Sequence, residues 1–86
     1  MESNTKELLI KKLLYRSIHR GCKETDILLG NFAIASVESF NDSKLALYQN
    51  FISEDDMEIY DWILRAKTTP EKYQSLVTEI QKFHNL

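Results

Sequence analysis

Few residues of this sequence could do chemistry, and the first candidate is a thiol with a nearby imidazole. Cys22 lies three residues after His19, and an adjacent base is what turns a thiol into a nucleophile. A working pair also needs an orienting group and an oxyanion hole, and no residue at a suggestive spacing supplies either. We therefore predict that the protein is not an enzyme and that Cys22 is a small, half-buried residue at a helix turn.

Metal and phosphate sites are also poorly supported. His19 and His84 are the only histidines, and no third ligand stands at a suggestive spacing. An acidic cluster lacks the alternating oxygen ligands and central glycine of a calcium loop; it consists of Glu54, Asp55, Asp56, Glu58 and Asp61. Two glycines cannot build a glycine-rich phosphate loop. We predict surface histidines, a solvated acidic face and no bound metal.

The length of the chain limits what these residues could build. With 86 residues and 10.1 kDa, it is one domain that buries about 60–65% of its unfolded surface, which leaves little room for a deep catalytic cavity. A composition of 43% hydrophobic and 28% charged residues is typical of a globular protein. Two glycines and one proline are too few for a small β-sandwich or barrel, and one cysteine excludes an internal disulfide.

Charge and hydropathy limit the classes of partner that the protein could bind. A net charge of −2 disfavours nucleic acid, which requires basic excess, and an acidic second half counts against a helix-turn-helix DNA binder. Bases dominate residues 6–23 and acids dominate residues 24–64, a pattern that orients a protein on a patterned partner. No apolar stretch is long enough for membrane insertion, and the first residues lack a signal sequence. We expect the cytoplasm, or the mitochondrial matrix for a eukaryotic chain.

Hydrophobic periodicity is helical throughout. It predicts an all-α single domain, a small bundle of about five short helices over residues 5–19, 22–36, 42–52, 56–65 and 70–84. The expected starts are Asn4 with Glu7, Asn41 or Asp42, Asp55 with Glu58, and Thr69 followed by Pro70 as the first helical residue. Gly21 is expected to close the first helix in a left-handed conformation, and Gly30 indicates close helix packing or a kink.

The same periodicity predicts the buried residues. The first two helices should contribute Leu9, Ile10, Leu13, Leu14, Ile18, Leu28, Leu29, Phe32, Ala33 and Ala35. The third and fourth should contribute Leu45, Tyr48, Phe51, Ile52, Ile59, Trp62 and Ile63, and the fifth Tyr73, Leu76, Val77, Ile80 and Phe83.

Residues 16–26 do not fit a plain bundle, because they crowd charged side chains around one glycine. One interpretation is a helix-closing Gly21 followed by acids in the first turn of the next helix. The other is an exposed recognition corner. There Gly21 would let a partner approach closely, Arg20 would offer a planar bidentate donor and Glu24 a fixed acceptor. The residues alone leave both interpretations open.

The segment resembles the succinate dehydrogenase flavinylation factors, small proteins of bacteria and mitochondria. Residues 16–32 read R-S-x-x-R-G-x-x-E-x-D and then L-L-G-x-F, and residues 56–62 match the second family pattern D-x-[DE]-[LI]-Y-x-W. The resemblance covers about residues 8–64. The chain departs from the family pattern at His19, where many relatives have a second arginine, and also at Cys22, at Asn31 and at residues 65–67.

The resemblance implies a five-helix assembly chaperone that binds the flavoprotein subunit of succinate dehydrogenase. It would promote covalent attachment of FAD to a histidine of that subunit without holding FAD stably, and fumarate reductase is a further candidate partner. The carried-over surface residues are Arg20, Gly21 and Glu24, flanked by Arg16, His19 and Asp26, with Asp56, Glu58 and Tyr60 from the second block.

Two other functions stay open at this stage. A helical adaptor or antitoxin-like regulator would have a partner unrelated to flavin. A small enzyme would need a pocket that joins Cys22 or His19 to other polar groups.

Overall fold

Five α-helices and two short 3₁₀ turns form the computed structural model, which describes the backbone of residues 2–86 and the side chains of residues 5–86. The helices are α1 (Glu2–Ile18), α2 (Lys23–Ser36), α3 (Asp42–Ile52), α4 (Asp56–Ile63) and α5 (Gln74–Phe83). The turns are Val37–Ser39, after α2, and Glu71–Tyr73, before α5. Residues 2–86 contain no strand, so the predicted all-α class is confirmed.

Side-chain caps begin two of the helices as predicted. The Asn41 side chain accepts a hydrogen bond from the Lys44 amide at 2.8 Å, and the Asp55 carboxylate accepts one from the Met57 amide at 3.1 Å. Each bond satisfies an amide that has no partner within its own helix. The start of α1 lies at Glu2, before the predicted position, and the side chain of Asn4 lies outside the described side chains.

The start of α5 differs from the prediction. Pro70 is not the first residue of an α-helix, because its ψ of 142° is extended and its carbonyl accepts from the Tyr73 amide at 2.9 Å, which closes a 3₁₀ turn. Thr69 therefore does not cap α5, which begins at Gln74. The tight turn places the Tyr73 ring in the core, 5.2 Å from Phe51. Burial of this ring accounts for the turn geometry.

The end of α4 uses a left-handed residue that is not glycine. Arg65 has a φ of +64°, and the Ala66 and Lys67 amides both donate to the Asp61 carbonyl at 2.7 and 3.2 Å. A left-handed residue with such backbone bonds is a common way to close a helix. Arg65 thus closes α4 without a glycine.

A chain of aromatic rings runs through the core, with neighbouring centroids 5.2–6.4 Å apart. Its members are Phe40, Phe32, Tyr48, Phe51, Trp62 and Tyr73. The Ser17 hydroxyl donates to the Leu13 carbonyl at 2.7 Å, so Tyr48 donates to Ser17 at 2.6 Å. Burial raises the pKa of Tyr48 to about 12. The phenol therefore joins α3 to α1 in its protonated form.

Three predicted core residues lie at the surface. Ala35 is exposed because Val37, in the turn after α2, fills the next inward position instead. Phe83 is 43% exposed because it ends α5, where its ring meets the edges of Phe32, at 5.8 Å, and of the neighbouring His84, at 5.0 Å. Ile18 is 36% exposed at the end of α1. Helical periodicity predicts an inward face up to the last turn of a helix, but the neighbouring helix does not always extend far enough to cover that turn.

Gly30 marks the close approach of α2 to α1, one of the two alternatives predicted for it. A Cβ atom built on Gly30 would lie 3.2 Å from Cγ1 of Ile18 and 3.7 Å from its Cα. We expect Gly30→Leu to lower the free energy of unfolding by about 1–3 kcal/mol, because the added atoms would force the helices apart.

Urea unfolding measures this effect against a matched control. Asn31→Leu adds the same side chain one residue later, at an exposed position, and should change stability little. Ile18→Ala, combined with Gly30→Leu, should recover part of the loss because it clears the contact. Equal midpoints for Gly30→Leu and the unaltered chain would contradict the close packing.

Candidate functional site

The corner between α1 and α2 is formed by residues 19–22, and Gly21 is its turning point. Gly21 has the predicted left-handed conformation, with a φ of +93°. It lies three residues after Ile18, the last residue of α1, so it turns the loop and does not cap the helix. A Cβ atom built on it would meet nothing within 4 Å, so the space above its backbone is open. The corner therefore combines a backbone conformation that favours glycine with room for another chain to approach.

The Arg20 side chain points into the protein. Its Nε lies 2.5 Å from Oδ1 of Asp56, its Nη2 donates to the Glu54 carbonyl at 2.8 Å, and its Nη1 donates to the Ile52 carbonyl. The side chain is only 9% exposed. The interpretation of Arg20 as a free bidentate donor for a partner is wrong for this conformation, because all three guanidinium nitrogens are engaged within the chain.

Asp26 also stabilises the corner, through a hydrogen bond within the chain. Its Oδ1 accepts a hydrogen bond from the Arg20 amide at 2.7 Å, across the turn at Gly21. Beside it, the buried Thr25 hydroxyl donates to the Asp56 carbonyl at 3.4 Å. Both contacts hold the start of α2 against its neighbours.

Glu24 and two residues of the second motif block form an outward surface next to the corner. Cys22, Glu24, Met57 and Tyr60 line an open cleft of about 180 Å³. Glu24 is exposed, with the Cys22 Sγ 3.6 Å from its carboxylate, and Met57 is 55% exposed. The fold thus brings the two motif blocks together on one surface.

Met57 belongs to this surface, although sequence reasoning did not select it. It occupies a variable position of the second block, so the motif drew no attention to it. The available signal is its spacing, since Met57 and Tyr60 are three residues apart on α4 and therefore share a face. An apolar side chain beside capping acids is the pattern that could have indicated it.

Arg16 and His19 lie on the other side of Arg20. Arg16 is exposed and donates to Oγ of Ser53 at 3.2 Å, and the His19 ring stacks on Tyr15 with centroids 4.4 Å apart. A second, shallow cleft of about 270 Å³ lies here. It is lined by Tyr15, Arg16, His19, Arg20, Ile52, Glu54 and Asp56. The predicted surface is therefore divided in two by the buried arginine.

Glu58 does not line either of these clefts. Its carboxylate accepts from Nζ of Lys67 at 2.9 Å, and this hydrogen bond raises the pKa of Lys67. The described part of the chain contains no group of three His, Cys, Asp or Glu side chains placed to hold a metal ion.

Comparison with known families settles the relationship. The family model described as the flavinator of succinate dehydrogenase, Sdh5, matches residues 11–84. The chain belongs to the Sdh5 family. Both motif blocks, and therefore the corner and the cleft beside it, lie within the matched residues of this Sdh5-family chain.

Curated relatives agree with the family. Succinate dehydrogenase assembly factor 2, mitochondrial, of Dictyostelium discoideum is 37% identical over 78 residues, which cover 91% of this chain and 55% of the relative. Assembly factor 2-A of Drosophila willistoni is 35% identical over 80 residues, and factor 2-B of Drosophila mojavensis is 36% identical over 76 residues. They cover 91% and 86% of this chain, and 51% and 48% of the relatives.

The Sdh5-family chain spans about half the length of the curated relatives it matches. The names of these relatives place them in mitochondria. Among the described residues, none of the helices has the length and apolar character needed to cross a membrane.

Proposed function

We propose that this protein is an assembly factor that binds the flavoprotein subunit of succinate dehydrogenase and promotes covalent attachment of FAD to it. Beyond membership of the Sdh5 family, one feature of the structure supports this proposal. The corner at Gly21 and the outward side chains of Glu24, Met57 and Tyr60 form a single exposed surface. Apolar groups beside an exposed carboxylate and an accessible backbone are suited to docking on another protein.

The proposed role is conformational. FAD supplies the electrophile and the flavoprotein supplies the histidine nucleophile, so the assembly factor makes and breaks no bond. By binding best to the arrangement in which this histidine faces the flavin, it raises the population of that arrangement. A shift from 1:99 to 99:1 requires about 5.5 kcal/mol of differential binding. We propose that the outward surface supplies this difference and that no FAD is held stably by the chain.

The partner range and compartment follow from the same proposal. The fumarate reductase flavoprotein is a second candidate partner because the surface would recognise the protein that carries the flavin. The compartment is the one in which that flavoprotein matures, which is the cytoplasm in a bacterium and the mitochondrial matrix in a eukaryote. The uneven charge of the chain, basic at α1 and acidic beyond it, would orient the two proteins.

Co-expression with the flavoprotein subunit tests the function. We expect covalent flavin, read by in-gel fluorescence, to rise when the chain is present, and Glu24→Ala to lower affinity for the flavoprotein about tenfold because a charged acceptor is lost. Glu38→Ala is the matched control. It removes an exposed carboxylate beyond the opposite end of α2, about 20 Å away along that helix.

Three results would contradict the proposal. Covalent flavin could be unchanged by co-expression, or Glu38→Ala could weaken binding as much as Glu24→Ala. Stoichiometric binding of FAD by the purified chain alone would favour a flavin carrier instead.

A further inference from the structure

We infer that Arg20, Asp26 and Asp56 are positioning residues, which hold the outward surface in shape and do not contact the flavoprotein. We call these three residues the clamp. The inference rests on the proposed function of the surface and divides the motif residues into two groups. The polar groups of the clamp bond within the chain, whereas Gly21, Glu24, Met57 and Tyr60 form the outward surface.

The arginine of the clamp fixes three points around the loop between α3 and α4. Its acceptors belong to Ile52 at the end of α3, to Glu54 in the loop and to Asp56 at the start of α4. A guanidinium is planar and its donors point in set directions, so three acceptors define its orientation. The start of α4 is thereby fixed relative to the end of α1.

The two aspartates of the clamp both accept hydrogen bonds from Arg20, one from α2 and one from α4. Asp26, in the first turn of α2, accepts from the amide of Arg20, the residue before the glycine. Glycine is the residue with most backbone freedom to lose, so a bond across it keeps the corner in one conformation. Asp56 pairs with Arg20 across 36 residues of sequence and joins the first motif block to the second.

Burial separates the Arg20–Asp56 pair of the clamp from Met57. The side chains of Arg20 and Asp56 are 9% and 26% exposed, whereas Met57, the next residue after Asp56, is 55% exposed. A half-buried charge that loses its partner is costly, so the pair resists rearrangement on binding. Substitution at Asp56 should therefore weaken flavoprotein binding through the shape of the cleft that Met57 and Cys22 share.

Cys22 offers a probe of the corner that needs no partner. It is the only cysteine in the chain, it is half-buried, and it lines the cleft with Met57. We expect Asp56→Asn to raise the rate at which 5,5′-dithiobis(2-nitrobenzoate) modifies Cys22 roughly threefold or more, because the start of α4 opens locally. Affinity for the flavoprotein should fall about tenfold, and circular dichroism should stay helical.

The controls separate positioning from folding. Asp56→Glu keeps the charge and should restore most of the affinity and the slow thiol reaction. Asp61→Asn removes a carboxylate of the same helix that is 23% exposed and 3.8 Å from Lys67, and both readouts should stay unchanged. If Asp56→Asn fails to fold, Arg20→Lys carries the same test, since it keeps the charge and loses the planar fork.

Thiol reaction and binding together decide the inference. An unchanged thiol rate would overturn it, and an unchanged rate with lost affinity would place Asp56 in direct contact with the partner. A faster rate with unchanged affinity would also overturn it, because the clamp would then order a surface that binding does not use. If the unaltered chain does not bind the flavoprotein, the proposed function fails. The thiol rate then decides on its own whether the clamp holds the corner.

Discussion

Gly21→Arg is expected to abolish binding of the flavoprotein subunit and leave the bundle helical. A Cβ atom built on Gly21 meets nothing within 4 Å, so a new side chain can begin there without a clash. The same side chain would occupy the volume into which a docked partner must come. Close approach of two backbones tolerates only glycine, so the bulk of arginine should prevent the contact.

The left-handed backbone at Gly21 adds a separate, smaller cost. Its φ of +93° is unfavourable for every residue with a Cβ atom, by about 1–2 kcal/mol. A chain of 86 residues has a stability of about 4–13 kcal/mol. The strain alone should therefore leave most molecules folded, with a lower melting temperature.

Gly21→Ala is the control that separates strain from bulk. It brings the same backbone strain with a single methyl group and should retain much of the affinity that Gly21→Arg loses. Pull-down of the flavoprotein and calorimetric titration measure the affinity, and circular dichroism measures the fold. A Gly21→Arg protein that stayed helical and bound normally would show that the corner does not contact the partner. Equal losses for both variants would attribute the effect to backbone conformation.

Much of this fold is encoded in local patterns, and these were predictable. The left-handed turn at Gly21 and the caps at Asn41 and Asp55 depend on residues within about one turn of each other. Periodicity likewise places Tyr48 and Phe51 in the core, and both are fully buried, although Phe51 lies in the last turn of α3. Sequence signals of this kind need no knowledge of what packs against what.

The orientation of Arg20 could not be predicted in the same way. Its acceptors lie 32–36 residues away, and nothing in the local sequence distinguishes an arginine that points inward from one that points to solvent. The motif includes Arg20 and Asp56 but did not reveal that they bind each other. Met57 was missed for the related reason that its place beside Cys22 arises only from the packing of α4 near α2.

Phe51→Ala should have the largest effect on stability, and Phe83→Ala is its matched control. Periodicity predicts both rings in the core, but Phe51 is fully buried and Phe83 is 43% exposed. The Phe51 ring lies 5.2 Å from Tyr73, 6.1 Å from Trp62 and 6.4 Å from Tyr48. Its removal should leave a cavity and lower the free energy of unfolding by about 3–5 kcal/mol.

Thermal melts of the two variants test this difference. In a domain of this size each kcal/mol shifts the melting temperature by about 4–8 °C, so Phe51→Ala should melt roughly 12 °C or more below the unaltered chain. Phe83→Ala loses mainly edge contacts with Phe32 and His84 and should cost about 1 kcal/mol. Phe51 also precedes Ile52, whose carbonyl receives Arg20, so its loss should speed the Cys22 thiol reaction even below the melting transition. Equal shifts for the two variants would contradict the packing described for the end of α5, since both rings would then contribute equally to the core.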